Sequence, residues 1–266
     1  TSIMIAAVVM STGGVLLWDA THQDFPLDGV EWPTAAAGSE GWLVSVEEDP
    51  ISSEIKITQW NVTSQEGVEI VSGGWPNAPS VVVSGQYMVL HDSQNLEFYD
   101  LENQAGQSVS SLSLDDVGSI LDVAIAEDSG LAVLVIIGES SLQFVDVDNS
   151  DSVLGQQNGT YSIVEASGSL VAWVDSSHSS PTVNLTSITG GIEIGIELNV
   201  TATEAEDEYL EQISGIPVNY SNATVIDIDM SSSWMVAVVD VGPVNRTVLV
   251  DLLTGDQRML SDPLWQ

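Results

Sequence analysis

A short pattern recurs along the chain and constrains its fold more than any other feature. Strand-like runs end in a polar residue that is flanked by mostly apolar ones. This polar residue recurs at intervals of 42, 39, 46, 41 and 64, as Asp19, Asn61, Asp100, Asp146, Ser187 and Asp251. A period of about 40 residues indicates one supersecondary unit per repeat, stacked against its neighbours.

Each repeat has the composition of four short strands. In the clearest copy, residues 80–114, runs rich in apolar residues occur at 81–83, 87–90, 96–101 and 109–114, with turn residues between them. Val, Ile and aromatic residues dominate the first three runs and favour strands. The copy therefore predicts a four-stranded antiparallel meander.

The same order of strands and turns predicts six copies, at about 3–27, 34–71, 80–114, 120–156, 161–198 and 225–261. Consecutive apolar positions such as 81–83 and 131–135 indicate strands that are buried on both faces. Such a sheet needs a neighbour on each side, which radial stacking supplies. We predict an all-β, single domain over residues 1–266, a β-propeller of about six four-stranded antiparallel blades. The copy at 3–27 lacks a first strand, so this blade is incomplete or closed by a missing strand.

The ends of the third strands resemble a known repeat. A hydrophobic-Asp-aliphatic step closes this strand, and Leu252-Leu253-Thr254-Gly255 gives the fullest version of the following turn. Both features resemble WD40-like and YVTN-like β-propeller repeats. The resemblance covers nearly the whole chain and implies the same propeller fold.

Proline and tryptophan mark the connectors between copies. Trp32-Pro33 and Trp75-Pro76 precede two first strands, and Pro263-Leu264-Trp265 follows the last copy. Proline cannot donate a hydrogen bond in a sheet, and a neighbouring tryptophan is large enough to fill the gap between blades. The alternative is two chance Trp-Pro pairs.

The charge is strongly acidic: 39 Asp and Glu residues face three basic ones, Lys56, Arg246 and Arg258, for a net charge of −36. Such a surface repels polyphosphates and anionic headgroups, which excludes nucleic acid and direct binding to anionic membranes. Two interpretations remain, attraction of cationic partners and adaptation to salt. The even spread of the acidic residues favours adaptation to salt.

Several features favour a place outside the cytoplasm, either extracellular or at the cell surface. Seven Asn-x-Ser/Thr sequons occur, at Asn61, Asn158, Asn184, Asn199, Asn219, Asn222 and Asn245. Asn61 and Asn184 fall in predicted strands, so the last four are the better acceptors. The apolar run 3–10 is either a signal or anchor remnant or a buried strand. The chain has no cysteine, which excludes disulfides and thiolate metal sites.

The interval of 64 marks an insertion at about 199–223, which carries a cluster of acidic residues at 204–211. Acidic residues in the first turns favour a helix, and an extended acidic loop is the alternative. Because propeller function resides in loops on a rigid scaffold, this segment is the best candidate for a specific role. A solvated decoration is the other interpretation.

No motif for catalysis is present, and His22, His91 and His178 fall in different loops. Carboxylate pairs occur at Glu47-Glu48, Asp115-Asp116 and Asp227-x-Asp229, placed on a rim or in a central channel.

The segment 146–151 resembles the start of a calcium loop but has Asp151 and Gln157 where such a loop has Gly and Glu. Asp146 is better explained by its strand-end position. There, as at Asp19, Asp100 and Asp251, a short carboxylate is expected to accept backbone N–H bonds and fix the turn.

These observations assign no catalytic, cofactor or metal residues and no cofactor. They favour a non-enzymatic binding or protein-interaction scaffold, extracytoplasmic and adapted to salt, which binds protein or carbohydrate through its rim loops. One alternative is the propeller domain of a secreted hydrolase or peptidase with carboxylates in its central channel. Another is a structural cell-surface domain.

Overall fold

The computed structural model describes residues 10–11, 14–15, 35–39, 41–48, 54–64, 66–70, 75–102, 108–111, 118–129, 131–147, 153–177, 180–190, 193–202 and 204–260. The chain divides into two compact units, Thr1–Asp116 and Val117–Gln266. None of the described residues forms a helix long and apolar enough to span a membrane.

The first unit contains a small hairpin and two four-stranded sheets. The hairpin is β1 (Met10–Ser11) with β2 (Gly14–Val15). Sheet 1 consists of β3 (Ala35–Ser39), β4 (Trp42–Glu48), β5 (Ile55–Asn61) and β6 (Glu66–Glu69). Sheet 2 consists of β7 (Ser80–Ser84), β8 (Tyr87–His91), β9 (Leu96–Asp100) and β10 (Ser108–Ser111).

The second unit contains three more four-stranded sheets. Sheet 3 has β11 (Ile120–Asp128), β12 (Leu131–Gly138), β13 (Ser141–Asp146) and β14 (Val153–Asn158). Sheet 4 has β15 (Tyr161–Ser167), β16 (Leu170–Asp175), β17 (Thr182–Ser187) and β18 (Ile194–Glu197). The insertion supplies the helix α1 (Glu204–Ser214) and a 3-10 turn (Tyr220–Asn222). Sheet 5 has β19 (Thr224–Met230), β20 (Trp234–Asp240), β21 (Asn245–Asp251) and β22 (Gln257–Leu260).

In every one of these five sheets the strands pair antiparallel with their chain neighbours, as the meander requires. The all-β class is therefore confirmed, and the five four-stranded sheets formed by the described residues are consistent with a β-propeller. Of the copy predicted at 3–27, only the hairpin β1–β2 is described, and the strand end at 18–20 lies outside the described residues. Six blades in one domain stay a prediction.

The core lies between neighbouring sheets. One apolar cluster joins Val44 and Ile57 of sheet 1 to Met88 and Leu90 of sheet 2. Two further clusters join sheet 3 to sheet 4 and sheet 4 to sheet 5. The second strand β12 is buried at seven of its eight residues, so it is covered on both faces, as its apolar sequence predicts.

The strand-end residues close the turns that follow them. The Oδ1 atom of Asp251 accepts from the backbone N–H groups of Leu253 and Thr254 at 2.8 and 3.1 Å, and that of Asp100 accepts from Glu102 at 3.0 Å. This confirms the turn-fixing role predicted for Asp100 and Asp251. Asp19 lies outside the described residues.

The residue that follows each strand-end residue makes the same backbone contact in all five sheets. Its N–H donates to a carbonyl at or near the turn between the first two strands, at distances of 2.8 to 3.1 Å. The donors in sheets 1 to 5 are Val62, Leu101, Val147, Ile188 and Leu252. The period in the sequence therefore corresponds to one repeated backbone geometry.

Trp75 packs against the apolar cluster that joins sheets 1 and 2, which is the gap-filling role predicted for the Trp-Pro connector. Its indole Nε1 has no hydrogen-bond partner. The connectors at 32–33 and 263–265 lie outside the described residues.

Candidate functional site

Acidic side chains gather on the first strands of the three sheets in the second unit. Asp122 lies on β11, Glu165 on β15, and Asp227 and Asp229 lie on β19. Strand β15 contacts both β11 and β19. We call these four residues the first-strand carboxylates.

A β-bulge at the same place in each strand sets their positions. The pairing register of the first strand with the second shifts at Leu121, at Ser162 and at Ile226, each of which is skipped. A bulge bends a strand and re-aims the side chains that follow it. Asp122 and Asp227 are the first residues beyond their bulges, and Glu165 and Asp229 lie at the third position beyond theirs.

Asp122 links two sheets. Its Oδ1 atom accepts from the backbone N–H of Val123 at 3.0 Å, and its Oδ2 atom accepts from that of Val164 on β15 at 2.9 Å. Glu165 has its Oε2 atom 3.1 Å from the backbone N–H of Ala166. Backbone donors thus hold two of the four carboxylates in place.

Burial dominates the electrostatics of this cluster. It raises the pKa of Glu165 from 4.5 to about 9, and the negative charges of Asp229, Asp122 and Asp227 add to the rise. Burial likewise raises the pKa of Asp122 to about 6, with a contribution from Asp227, and raises the pKa of Asp229. Glu165 is therefore a neutral acid at neutral pH.

Neighbouring carboxyl groups, one of which is kept neutral by its surroundings, are an arrangement used in acid–base chemistry. The strands β11, β15 and β19 carry no lysine or arginine that would bind an anionic substrate group. Among the described residues, no group of three or more His, Asp or Glu side chains has the geometry to hold a metal ion.

Sequence reasoning found half of this cluster. Asp227 and Asp229 were predicted as a pair on a rim or in a channel, and the structure places them on a first strand. Asp122 and Glu165 were missed. The repeat intervals contain the signal that would have found them. Asp122 plus the intervals of 41 and 64 residues gives position 227, and Glu165 plus 64 gives position 229, so the four acids form two pairs at equivalent positions in their copies.

The other predicted candidates are on other strands or outside the described residues. Glu47 and Glu48 end β4, with Glu47 directly across from Lys56 of β5. His91 ends β8, where burial lowers its pKa and its Nδ1 atom has no hydrogen-bond partner. The residues at 22, 115–116, 148–151 and 178 lie outside the described residues.

The insertion at 199–223 departs from the repeat. Of the two predicted alternatives, a helix and an extended acidic loop, it contains the helix. Helix α1 ends at Ser214, and Gly215 follows with a φ of 71°. The Gly215 N–H donates to the carbonyl of Glu211 at 2.9 Å, so glycine closes the helix in the left-handed conformation that other residues rarely adopt.

An ion pair anchors this helix to sheet 5. The Nη2 atom of Arg246, on β21, lies 2.9 Å from the Oδ1 atom of Asp207 on α1, and Arg246 is only 6% exposed. The hydroxyl of Tyr220 donates to the same carboxylate at 2.7 Å. The guanidinium carbon of Arg246 lies 5.8 Å from the centre of the Tyr220 ring. A buried cation, an aromatic ring and a carboxylate thus fix the helix.

Further contacts hold the segment after the helix. The Oε1 atom of Glu211 accepts from the Val218 N–H at 3.0 Å, and the Asn219 N–H donates to the Val241 carbonyl at 3.0 Å. The loop is therefore tied to α1 on one side and to the connection between β20 and β21 on the other.

The insertion exposes three large apolar side chains. Tyr209 is 50% exposed, Ile213 is 53% exposed and Ile216 is 50% exposed. Their spacing of four and three residues places Tyr209 and Ile213 on one face of α1, with Ile216 just beyond its end. We call these three residues the insertion stripe. Glu206, Glu208 and Glu211, on the same helix, are exposed as well.

No family model matches the sequence, and no curated protein matches it. Among solved structures, Hsv2 of Kluyveromyces lactis, a β-propeller, has a TM-score of 0.51 at 10% identity and covers 88% of this chain and 64% of its own. This chain thus spans less than two thirds of the Hsv2 chain. A nidogen/laminin complex has a TM-score of 0.47 at 12% identity and covers 83% of this chain and 75% of its own. The likeness to Hsv2 is consistent with a propeller fold.

The pKa of Glu165 predicts a pH-dependent stability. Because its pKa rises from 4.5 to about 9 on folding, the free energy of unfolding should fall as the pH rises through this window. The variant Glu165→Gln cannot ionise and should be more stable than the wild type at about pH 8, with little difference at about pH 4. Urea unfolding across this range measures the difference.

The matched control is Glu139→Gln, which removes the same charge at an exposed position. An identical pH dependence in Glu165→Gln and the wild type would contradict the raised pKa of Glu165.

The ion pair between Asp207 and Arg246 predicts that removing the carboxylate destabilises the fold. Asp207→Asn should lower the free energy of unfolding by about 3 kcal/mol, because it leaves the Arg246 cation buried without a counter-charge. Adding Arg246→Met should recover part of this loss, since no buried charge then remains. Urea unfolding of both variants tests this, with the exposed Glu206→Gln as the control on the same helix. Equal stabilities of Asp207→Asn and Glu206→Gln would show that the ion pair does not anchor α1.

Proposed function

We propose that the chain is a binding scaffold whose recognition surface is the insertion at 199–223. The observation that carries this proposal is the anchored helix α1, fixed to sheet 5 by Asp207, Arg246 and Tyr220. A four-stranded sheet does not need such a helix, because the other described sheets complete their strands without one. An added element that is held rigid while it exposes apolar side chains is typical of an interaction surface.

The scaffold itself is proposed to be one β-propeller of about six blades. The repeated strand-end geometry in all five described sheets supports this, as does the likeness to Hsv2. A closed ring would bury the outer faces of the first and last sheets in the way the three observed clusters bury the faces between neighbours.

An extracytoplasmic location is part of the proposal. The Asn199, Asn219, Asn222 and Asn245 sequons are exposed, as glycan attachment requires. Asn184 is buried on β17, and the side chain of Asn61 accepts two backbone N–H bonds. Asn158 is exposed as well, and the exposure of these sequons supports the proposed location.

A second candidate function is hydrolysis, and the first-strand carboxylates are the observation that favours it. Glu165 would be the proton donor, since its high pKa keeps it neutral. The binding scaffold explains more of the structure, because hydrolysis gives no role to the anchored insertion. A structural cell-surface domain is the third alternative, and tandem copies in the parent gene would favour it.

Replacing the insertion tests the scaffold. We expect a chain with residues 203–216 exchanged for a short Gly-Ser linker, and with Arg246→Met to avoid a buried cation, to keep its strand content by circular dichroism. It should no longer bind the ligands that the full chain binds on an array of proteins and glycans. Leu253→Gln, at a residue 80% exposed outside the insertion, is the control. Binding of the same ligands by both chains, or of none by the full chain, would overturn the proposal.

Adaptation to salt has its own test. The free energy of unfolding, measured with urea, should rise with NaCl near neutral pH, because screening weakens repulsion within a net charge of −36. This rise should be smaller at about pH 4, where many carboxylates are protonated. A fall in stability with added NaCl at neutral pH would contradict the adaptation.

A further inference from the structure

The chemistry of the insertion stripe limits the class of partner that it can bind. Tyr209, Ile213 and Ile216 each expose half or more of their surfaces. Exposed apolar patches that are rimmed by polar residues mark protein-interaction sites. The stripe can therefore bury apolar groups of a ligand without any rearrangement of the anchored helix.

Exposed acidic side chains lie beside the stripe. Helix α1 carries five acidic residues and no basic one. Glu206 lies one turn before Tyr209 and Glu208 is close by, and we call these two exposed residues the acidic rim. Asp207 is neutralised by Arg246, and Glu211 lies on the other side of the helix, where it accepts from the Val218 N–H. A partner with acidic groups beside its apolar ones would be repelled, and a partner with basic groups there would be attracted.

We propose that the insertion stripe docks a short amphipathic, basic segment of a partner protein. Apolar side chains of the segment pack on Tyr209, Ile213 and Ile216, while its lysines or arginines face Glu206 and Glu208. This inference rests on the proposed scaffold function and names the class of its partner.

The two kinds of contact have different roles. Charge attraction between exposed groups speeds encounter and weakens as salt screens it, with a Debye length of about 3 Å at 1 M. Apolar burial is not screened, so it keeps the partner bound in salt. The acidic rim then acts mainly through selectivity, because it excludes acidic proteins from an otherwise unspecific apolar surface.

Three synthetic peptides that share one leucine stripe test this chemistry. Their polar positions carry lysine, glutamine or glutamate, and their dissociation constants for the full chain are measured by calorimetry at low and high NaCl. We expect the lysine peptide to bind most tightly at low salt and the glutamate peptide most weakly, with the difference shrinking as salt rises.

Variants locate the site. Ile213→Gln combined with Ile216→Gln should weaken binding of the lysine peptide by at least about tenfold, since each isoleucine loses its buried apolar contact. The loss should persist at high salt. Leu253→Gln is the matched control, because it replaces an exposed apolar residue outside the stripe and should leave binding unchanged. Circular dichroism shows whether each variant is folded.

The outcomes separate this inference from the scaffold function. If the glutamine or glutamate peptide binds best and loses affinity in the isoleucine variant, the insertion is a recognition surface and the basic chemistry is wrong. If the lysine peptide binds the variant as tightly as the wild type, it binds by net charge alone and the stripe is not its site. If no peptide binds, the inference is overturned, and the array experiment with the replaced insertion decides the scaffold function independently.

Discussion

Apolar contact between neighbouring sheets is the interaction on which the rest of the structure depends. The second strand β12 is covered on both faces, since seven of its eight residues are buried. Three observed clusters each join two consecutive sheets, and the fourth strands β6, β14, β18 and β22 are mostly exposed. Hydrophobic burial therefore acts between repeats more than within them, so each sheet needs its neighbour. The spacing of the repeat follows, because every unit must present the same faces at the same place.

This packing has an electrostatic consequence in the second unit. First strands of adjacent sheets approach one another, and bulges at matching positions bring carboxylates into that region. Burial and mutual repulsion then raise the pKa values of Glu165, Asp122 and Asp229. These three first strands carry no lysine or arginine, so protonation of Glu165 removes charge there without an ion pair. The acidic composition thus affects carboxylates on strands between adjacent sheets as well as those on the surface.

The strands and their turns could be predicted from the sequence, since they depend on local patterns. In the copy at 80–114, apolar runs place the first three strands to within one residue at each end. Asp100 and Asp251 close turns as a short carboxylate does anywhere. The candidate sites could not be predicted in the same way. Asp122 and Glu165 belong to different repeats, and Arg246 meets Asp207 across 39 residues, so each pairing exists only after the sheets have packed.

The anchor of helix α1 also bears on how such a chain can change by duplication. Repeats that share one backbone geometry are in principle interchangeable modules, and an exchanged copy would keep its strands, its turns and its contacts with both neighbours. Sheet 5 is different, because its third strand supplies the buried Arg246 to an element that lies outside the repeat. A duplicated sheet put in its place would keep the architecture and release the helix. Inheritance of the insertion is therefore linked to one arginine, and the two residues of the ion pair are expected to be gained or lost together.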